Sequence, residues 1–469
     1  MNQTVFELDA VKNKLAKFNQ EHVLKYWDEL SAQQQASLAE QIDNIDFEQL
    51  QNLAAQKSDA TKWGELADKA VSPPSITLEQ FRDSKSNDAA YELGAEAIKA
   101  GKVGMILTAG GQGSRLGFEH PKGMYPIGPV SGRTLYQIIL EHTMARAKQF
   151  NSRIPTYVMT SPPTHDESSS FLNENKFFGY PKEDLKIFCQ GVMPAVDSNG
   201  RLILEEKGKI FVSPDGHGGT LAALDKSGCL KDMIDRGIEY VFYGQIDNPL
   251  IQVCDPALVG YHIQQKSELT TQVVRKNEPL QKVGNVVSID GRTQIIEYSD
   301  LPEKHARLTN EDGSLKFWAG SIAVHIFNVE FLKGASTDAD SLPFHVASKK
   351  VPFLDENGTL QKPESPNATK YEKFIFDLLP LAENSMVCEV DPAEGFCAVK
   401  NAPPAPSETP DHVKQAISDL HKKWLTNCGV EVAAETMIEI NPLFAVDQRQ
   451  LKEKADAISS ISGSSEYLV

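Results

Sequence analysis

The residues best placed to do chemistry are Gly110, Gly111, Gly113, Arg115 and Lys122, within Leu107-Thr108-Ala109-Gly110-Gly111-Gln112-Gly113-Ser114-Arg115-Leu116-Gly117 and the following Pro121-Lys122-Gly123-Met124. The apolar stretch Val103–Leu107 precedes them, so a strand runs into a glycine-rich loop with two cations at its far end. Such a loop grips phosphates. Glycines let backbone N–H groups approach an anion closely and permit positive φ, while Arg115 and Lys122 supply charge against a polyphosphate. The loop departs from the two commonest nucleotide motifs: Leu116 stands where Gly-x-Gly-x-x-Gly needs its last glycine, and no Gly-x-x-x-x-Gly-Lys-Ser/Thr run occurs. A dinucleotide-dependent oxidoreductase and an ordinary P-loop NTPase are both disfavoured.

Further positions offer matching chemistry. Ser213-Pro214-Asp215-Gly216-His217-Gly218-Gly219-Thr220 is a second glycine cluster entering a helical stretch, suited to close packing of backbone against a flat base or sugar. His217, exposed by its setting, is equally a satisfied loop residue. Asp247 follows Tyr240–Ile246, at the C-terminal end of what should be a buried strand, where open α/β sheets place ligands and a carboxylate suits Mg2+. Asp and Asn are also common caps, so Asp247-Asn248 alone leaves both roles open. Glu297 and Lys400 read by default as solvated charges, and Leu342–Pro352 as a strand with a solvated face; no chemistry is assigned to His345 or Lys349. No Ser/His/Asp or Cys/His arrangement for nucleophilic catalysis stands out.

The elements that must position these residues follow from apolar spacing. With 469 residues and 41% hydrophobic content, two or three domains are expected. Residues 1–95 carry helical spacing, as in Val11, Leu15, Phe18 and Leu38, Ile42, Ile45, Leu50, Leu53, with a linker at Ala70–Ser75. Over 96–345, short apolar runs (Val103–Leu107, Thr156–Met159, Lys186–Cys189, Tyr240–Gln245) alternate with helical stretches (Leu135–Lys148, Phe171–Asn175, Pro256–Gln265). That alternation predicts an α/β fold with a mainly parallel sheet. Thr164–Glu167 fits a capping box, and Val283–Ile289, Asp290-Gly291, Gln294–Tyr298 fit a β-hairpin with a tight turn. Residues 346–469 form a mixed C-terminal part whose small, polar Ser459–Ser465 should fray.

Composition narrows the partners. Acidic residues outnumber basic ones by 64 to 47, a net charge of −17, which argues against a nucleic-acid binder and makes any anion site local. The N-terminus has no basic and apolar leader pattern, and no apolar run approaches the ~20 residues of a membrane span. Six scattered cysteines show no metal or redox spacing and fit reduced thiols of a cytoplasmic protein.

In this order the motifs closely resemble those of the eukaryotic-type UDP-N-acetylhexosamine pyrophosphorylases, within the larger UTP:sugar-1-phosphate uridylyltransferase family. The resemblance spans about 95–405 and rests on Ala109–Gly117, Pro121–Tyr125, Pro214–Gly219, Ile246–Asn248, Glu297–Ser299, His345–Ala347 with Lys349–Pro352, and Lys400-Asn401. It implies a Rossmann-like nucleotidyltransferase domain between a helical N-terminal and a small mixed C-terminal domain, with UTP and a sugar 1-phosphate as substrates. It also implies residue roles: Ala109, Gly110, Gly111, Gly113, Arg115 and Lys122 at the UTP phosphates, with Gly110 and Gly111 giving backbone contacts to the uridine or the phosphates, and Gln190, Gly216 and His217 at the uridine. Asp247 would carry Mg2+, Glu297 would bind sugar hydroxyls, and Lys400 would reach the phosphates. The chain departs from the family pattern at Ser321 and Val324, where relatives commonly carry asparagines, and at His217, where Asn is frequent. N-acetylglucosamine 1-phosphate is the expected acceptor; glucose or galactose 1-phosphate, and a non-catalytic sugar-nucleotide sensor, are the alternatives.

Overall fold

In the computed structural model of the chain, residues 8–55, 60–337 and 342–469 are described. Residues 1–7, on which the expectation of no leader rests, lie outside them. The chain divides into two compact units: Ala60–Gln190 with Thr220–Ala339 and Phe376–Val469, and Met1–Asp59 with Gly191–Gly219 and Asp340–Ile375. These units interleave in sequence and so cut across the three consecutive segments expected. The reason is packing: Leu15, Leu38, Ile42 and Leu50 of the N-terminal helices bury themselves with Val196, Leu202, Ile210 and Tyr371 from the two later segments.

The larger unit carries a ten-stranded mixed sheet. Across it lie Ser75–Ile76, Ser385–Glu389, Leu269–Arg275, Ala319–Asn328, Tyr240–Gln245, Val103–Thr108, Thr156–Thr160 and Leu185–Cys189. Ala319–Asn328 is antiparallel to both neighbours, and the other pairs on this path are parallel. The mainly parallel α/β architecture is therefore as expected. Val103–Thr108 and Thr156–Thr160 are buried along their whole length, which requires cover on both faces. The helices Ser84–Lys99, Leu135–Gln149, Pro162–Glu174 and Pro256–Gln264 belong to this unit. Strands after Val103–Thr108 extend to one side, whereas Tyr240–Gln245 pairs on its other side, so a topological switch point falls between these two strands.

Local details refine the sequence reading. The helix expected to open at Thr164 begins at Pro162, because Ser161 is the N-cap and its N–H donates to the Thr164 hydroxyl at 3.1 Å. Prolines at the first two positions forfeit no intrahelical bond. The hairpin is present as Asn285–Ile289 and Arg292–Ile296, with positive φ at both Asp290 (50°) and Gly291 (79°), as a type I′ turn needs. It joins the sheet through Asn285 opposite Gly320. The segment read as a linker is instead pinned: Val71 exchanges backbone hydrogen bonds with Ser288, and Ser75–Ile76 pairs with Ser385–Glu389. The C-terminal tail does not fray at Ser465. Ser465–Leu468 lies parallel to Met437–Ile440, which satisfies its backbone groups.

The smaller unit joins helices Leu8–Ala16, Ala32–Asp43 and Phe47–Ala55 to short two-stranded pairs, among them Phe344–Lys349 with Ala368–Lys373.

Two buried histidines make the larger unit acid-sensitive. His142 on Leu135–Gln149 and His421 on Pro410–Asn427 are about nine-tenths buried, and Ile440 N–H donates to His421 Nδ1 at 3.1 Å. Burial, reinforced by the Arg146 charge, lowers the His142 pKa to about 4; burial and the His142 charge lower that of His421 to about 3. Both rings stay neutral in the fold, whereas the unfolded rings protonate near pH 6.5. Their contribution to stability is complete above about pH 6.5 and is lost as pH falls toward the folded values, by at most ~1.4 kcal/mol per pH unit for each ring. Denaturant unfolding should therefore show stability falling from pH 6.5 to 5, with a shallower slope in His421→Gln; equal slopes would contradict the assignment.

Candidate active site

Parallel pairing brings the principal loop and carboxylate together. Thr108 lies opposite Gln245, and Ile246 N–H donates to Thr108 O at 3.0 Å, so the chain leaves both strands at the same sheet edge. One strand continues into Ala109–Gly117 and the other into Asp247. The loop closes on itself: Gly113 N–H donates to His120 O and Lys122 N–H to Gly111 O, each at 2.9 Å. This return brings Lys122 back to the sheet edge, where its Nζ lies 3.3 Å from Asp247 Oδ2, both side chains 16% exposed.

The loop residues have different jobs. Ala109 is fully buried and its N–H donates to Met159 O at 2.7 Å, so it supports the strand end and offers neither side chain nor N–H to a ligand. Gly110 is closely packed: a Cβ there would lie 2.7 Å from Gln190 Oε1 and 3.3 Å from Ser161 N, while Ser161 Oγ donates to its carbonyl at 2.6 Å. Gln190 is thus brought beside the loop. Gly113 is required by Phe118, whose carbonyl oxygen a Cβ would approach to 2.8 Å. Gly111 is exposed, and a Cβ on it would meet nothing within 4 Å. Among the described residues, the Gly110 and Gly111 N–H groups reach no acceptor in the chain. Two adjacent uncommitted donors beside Lys122 make a site for an anion.

The third element comes from far along the chain. Cys397 N–H donates to Asn248 Oδ1 (3.0 Å), Val399 N–H to Asp247 O (2.8 Å), and Ala402 N–H to Arg115 O (3.1 Å). Asn248 also donates to Gly395 O at 2.9 Å and is 2% exposed. The segment bearing Lys400 is thereby laced to both Asp247 and the glycine loop. Lys400 Nζ itself pairs with Glu408 Oε1 at 3.0 Å, and the Arg115 side chain is exposed. Glu408 sits in no chemically distinctive motif, and Asn248, although part of the Ile246–Asn248 motif, owes its anchoring role to a segment about 150 residues further along the chain.

Glu297 follows Arg292–Ile296 and is half-buried; its carboxylate lies over Gly284, where a Cβ would come 2.9 Å from Oε1. Ser321 N–H donates to Gly284 O at 2.8 Å, placing Ser321 beside the same glycine. Val324 is 1% exposed and packs in the main core, so the departure from the family pattern there concerns packing, whereas the one at Ser321 borders Glu297.

Gly216 and His217 belong to the smaller unit. Gly216 has φ 84° and its Cβ would sit 2.4 Å from Lys373 O; Gly219 packs on the Asp215 carboxylate. Close protein packing therefore already requires glycine in this cluster. His217 is half-buried, not exposed; its ring stacks on Phe374 at 5.2 Å, and His345 meets the same ring at 4.4 Å. Burial, with the His345 charge, lowers the His217 pKa to about 4. Nδ1 accepts the Ile375 N–H at 3.2 Å, which assigns the proton of the neutral ring to Nε2 and makes that atom a donor. Phe374 and His345 were not distinguishable in sequence from ordinary strand residues.

A family model described as UTP–glucose-1-phosphate uridylyltransferase matches residues 46–450. The chain belongs to this family. Among uridylyltransferase-family relatives, the UDP-N-acetylhexosamine pyrophosphorylase-like protein 1 of Homo sapiens is 36% identical over 434 residues, covering 89% of this chain and 85% of that protein. The UDP-N-acetylglucosamine pyrophosphorylase of Saccharomyces cerevisiae is 34% identical over 401 residues, covering 83% and 84%. The crystal structure of the Trypanosoma brucei UDP-N-acetylglucosamine pyrophosphorylase in complex with an inhibitor matches with a TM-score of 0.82 at 25% identity, covering 100% of this chain and 99% of that one.

For this uridylyltransferase-family site, Lys122→Ala and Asp247→Ala should each lower turnover by roughly 10²–10³, as loss of one preorganised charge or donor does. Each variant should retain cooperative unfolding. Near-normal steady-state turnover in either would contradict the placement.

Proposed function

We propose that the chain transfers the uridylyl group of UTP to N-acetylglucosamine 1-phosphate, forming UDP-N-acetylglucosamine and pyrophosphate. The observation that carries this reading is the meeting of the uncommitted Gly110 and Gly111 N–H groups, the Lys122–Asp247 pair and the Lys400 segment at one sheet edge. The names of the relatives supply the sugar.

In this reaction a phosphate oxygen of the sugar 1-phosphate attacks the α-phosphorus of UTP in line. The bond from that phosphorus to the β-phosphate oxygen breaks, and pyrophosphate carries off the electron pair. The nucleophile arrives ionised, so no serine, cysteine or strong general base is required, in keeping with the sequence. The chain's work is positioning and charge neutralisation. Gly110 and Gly111 donate to phosphate oxygens, Arg115 and Lys122 face the leaving pyrophosphate, and Lys400, exchanging Glu408 for phosphate, screens the repulsion between the two substrates. Gln190 addresses the uridine, and Glu297 the sugar hydroxyls.

Among the described residues no three His, Cys, Asp or Glu side chains gather as a metal site. The single, partly exposed Asp247 carboxylate fits Mg2+ that arrives on substrate phosphates and keeps its own waters, the usual coordination of this ion. Bound there, Mg2+ would neutralise charge developing on the phosphate oxygens. A cytoplasmic location suits the six cysteines, which form no disulfide among the described residues. No helix among the described residues is long and apolar enough to cross a membrane.

Purified protein with UTP, Mg2+ and a panel of sugar 1-phosphates should release pyrophosphate fastest with N-acetylglucosamine 1-phosphate. Faster release with glucose or galactose 1-phosphate would replace the sugar assignment, and UTP binding without release from any member would make the protein a sensor.

A further inference from the structure

Behind Glu297 lies a buried cation that the uridylyl-transfer reading does not use. Lys276 follows the strand Leu269–Arg275, and it is only 5% exposed. Its Nζ donates to Asn285 Oδ1 at 2.6 Å and to Pro279 O at 3.0 Å. Its own N–H donates to Trp318 O at 2.8 Å, at the head of the strand that carries Ser321. Burial lowers the Lys276 pKa, and no carboxylate among the described residues offsets that effect. An ammonium held only by neutral acceptors is costly to bury, so a surface-charge role does not account for it.

The acceptors show what the cation organises. Asn285 opens the hairpin strand that follows Gly284, and its Nδ2 donates to Ile296 O at 3.2 Å. Ile296 directly precedes Glu297, and Gly284 lies under the Glu297 carboxylate. Lys276 also supports the opposite side: a Cβ on Gly320 would meet its Cγ at 3.3 Å, and Gly320 adjoins Ser321. A chain of hydrogen bonds thus runs from Lys276 through Asn285 to the carbonyl before Glu297. One buried residue thus reaches the Asn285 side chain on one side of the Gly284–Glu297–Ser321 group and the Trp318 carbonyl on the other.

We propose that Lys276 is a positioning residue for sugar recognition, setting through Asn285 the orientation of the Glu297 carboxylate toward a pyranose hydroxyl pair. The inference rests on the assignment of Glu297 to the sugar 1-phosphate. Lys276 touches no substrate and has no part in UTP binding, whose loop lies after a different strand. Its removal therefore acts on one substrate and spares the other. A general structural role would weaken both together.

Steady-state kinetics with varied sugar 1-phosphate and calorimetric binding of UTP alone, on the full chain, test this. Lys276→Met, close in length and apolar, should raise KM for the sugar 1-phosphate by about tenfold or more, the scale of losing a hydrogen bond from a charged group, with UTP affinity within about twofold of wild type. Asn285→Asp keeps an acceptor for Lys276 but removes the N–H donated to Ile296 O, so it should shift the same KM; it decides the matter should Lys276→Met fail to fold. Unchanged sugar KM, or equal losses for sugar phosphate and UTP, in the folded variant overturns the inference. A wild-type protein that releases no pyrophosphate with any sugar phosphate overturns instead the function beneath it.

Discussion

The in-register parallel pairing of Val103–Thr108 with Tyr240–Gln245 is the constraint on which the site depends. Both strands end at the same edge, and one backbone hydrogen bond, Ile246 N–H to Thr108 O, fixes their exits relative to each other. A slip of one residue would turn each side chain to the opposite face and separate Asp247 from the glycine loop. Close packing on both faces makes such a slip expensive, since the fully buried Met105, Leu107, Val241 and Phe242 would be forced into spaces shaped for other side chains. Parallel strands at a topological switch point thus put the acting groups in reach of one another.

Polar anchors then extend this frame across long sequence distances. Asn248 and the carbonyls of Asp247 and Arg115 capture the backbone of residues 395–402, so Lys400 is held by main-chain geometry rather than by its own side chain. Its ammonium is left to pair with Glu408, which is partly exposed and easily exchanged. Lys122 is held the other way, by its side chain on Asp247, after a loop closed through Gly111 and Gly113. The two cations are therefore poised differently: Lys122 is fixed before substrate arrives, and Lys400 is free to move toward phosphate.

Much of this was legible in the sequence. The alternation of short apolar runs with helical spacing yielded the α/β class and most sheet strands, because fully buried parallel strands read as continuous Val, Ile, Met and Phe runs. The Asp290-Gly291 turn was legible because a type I′ turn needs two positive φ values. The glycine loop and Asp247 were legible because phosphate chemistry demands unusual residue types at unusual density. What escaped was set by tertiary packing. The split of the chain into interleaved units depends on which apolar faces meet, as Leu15 and Leu38 do with Leu202 and Tyr371, and no local pattern records that. The glycines at 216, 218 and 219 also answer to Lys373 and Asp215 in their own unit, a packing demand that no local pattern records. Glu408, Asn248 and Lys276 are ordinary residue types whose importance comes only from what they touch.

Lys122 and Asp247, 3.3 Å apart at the junction of the two strands, should act as one coupled unit. A double-mutant cycle with Lys122→Met, Asp247→Asn and the double variant, read as kcat/KM for UTP, measures that coupling directly. The double variant should be no worse than the poorer single variant, with the losses non-additive by about tenfold or more. Losses that simply multiply would show two independent residues.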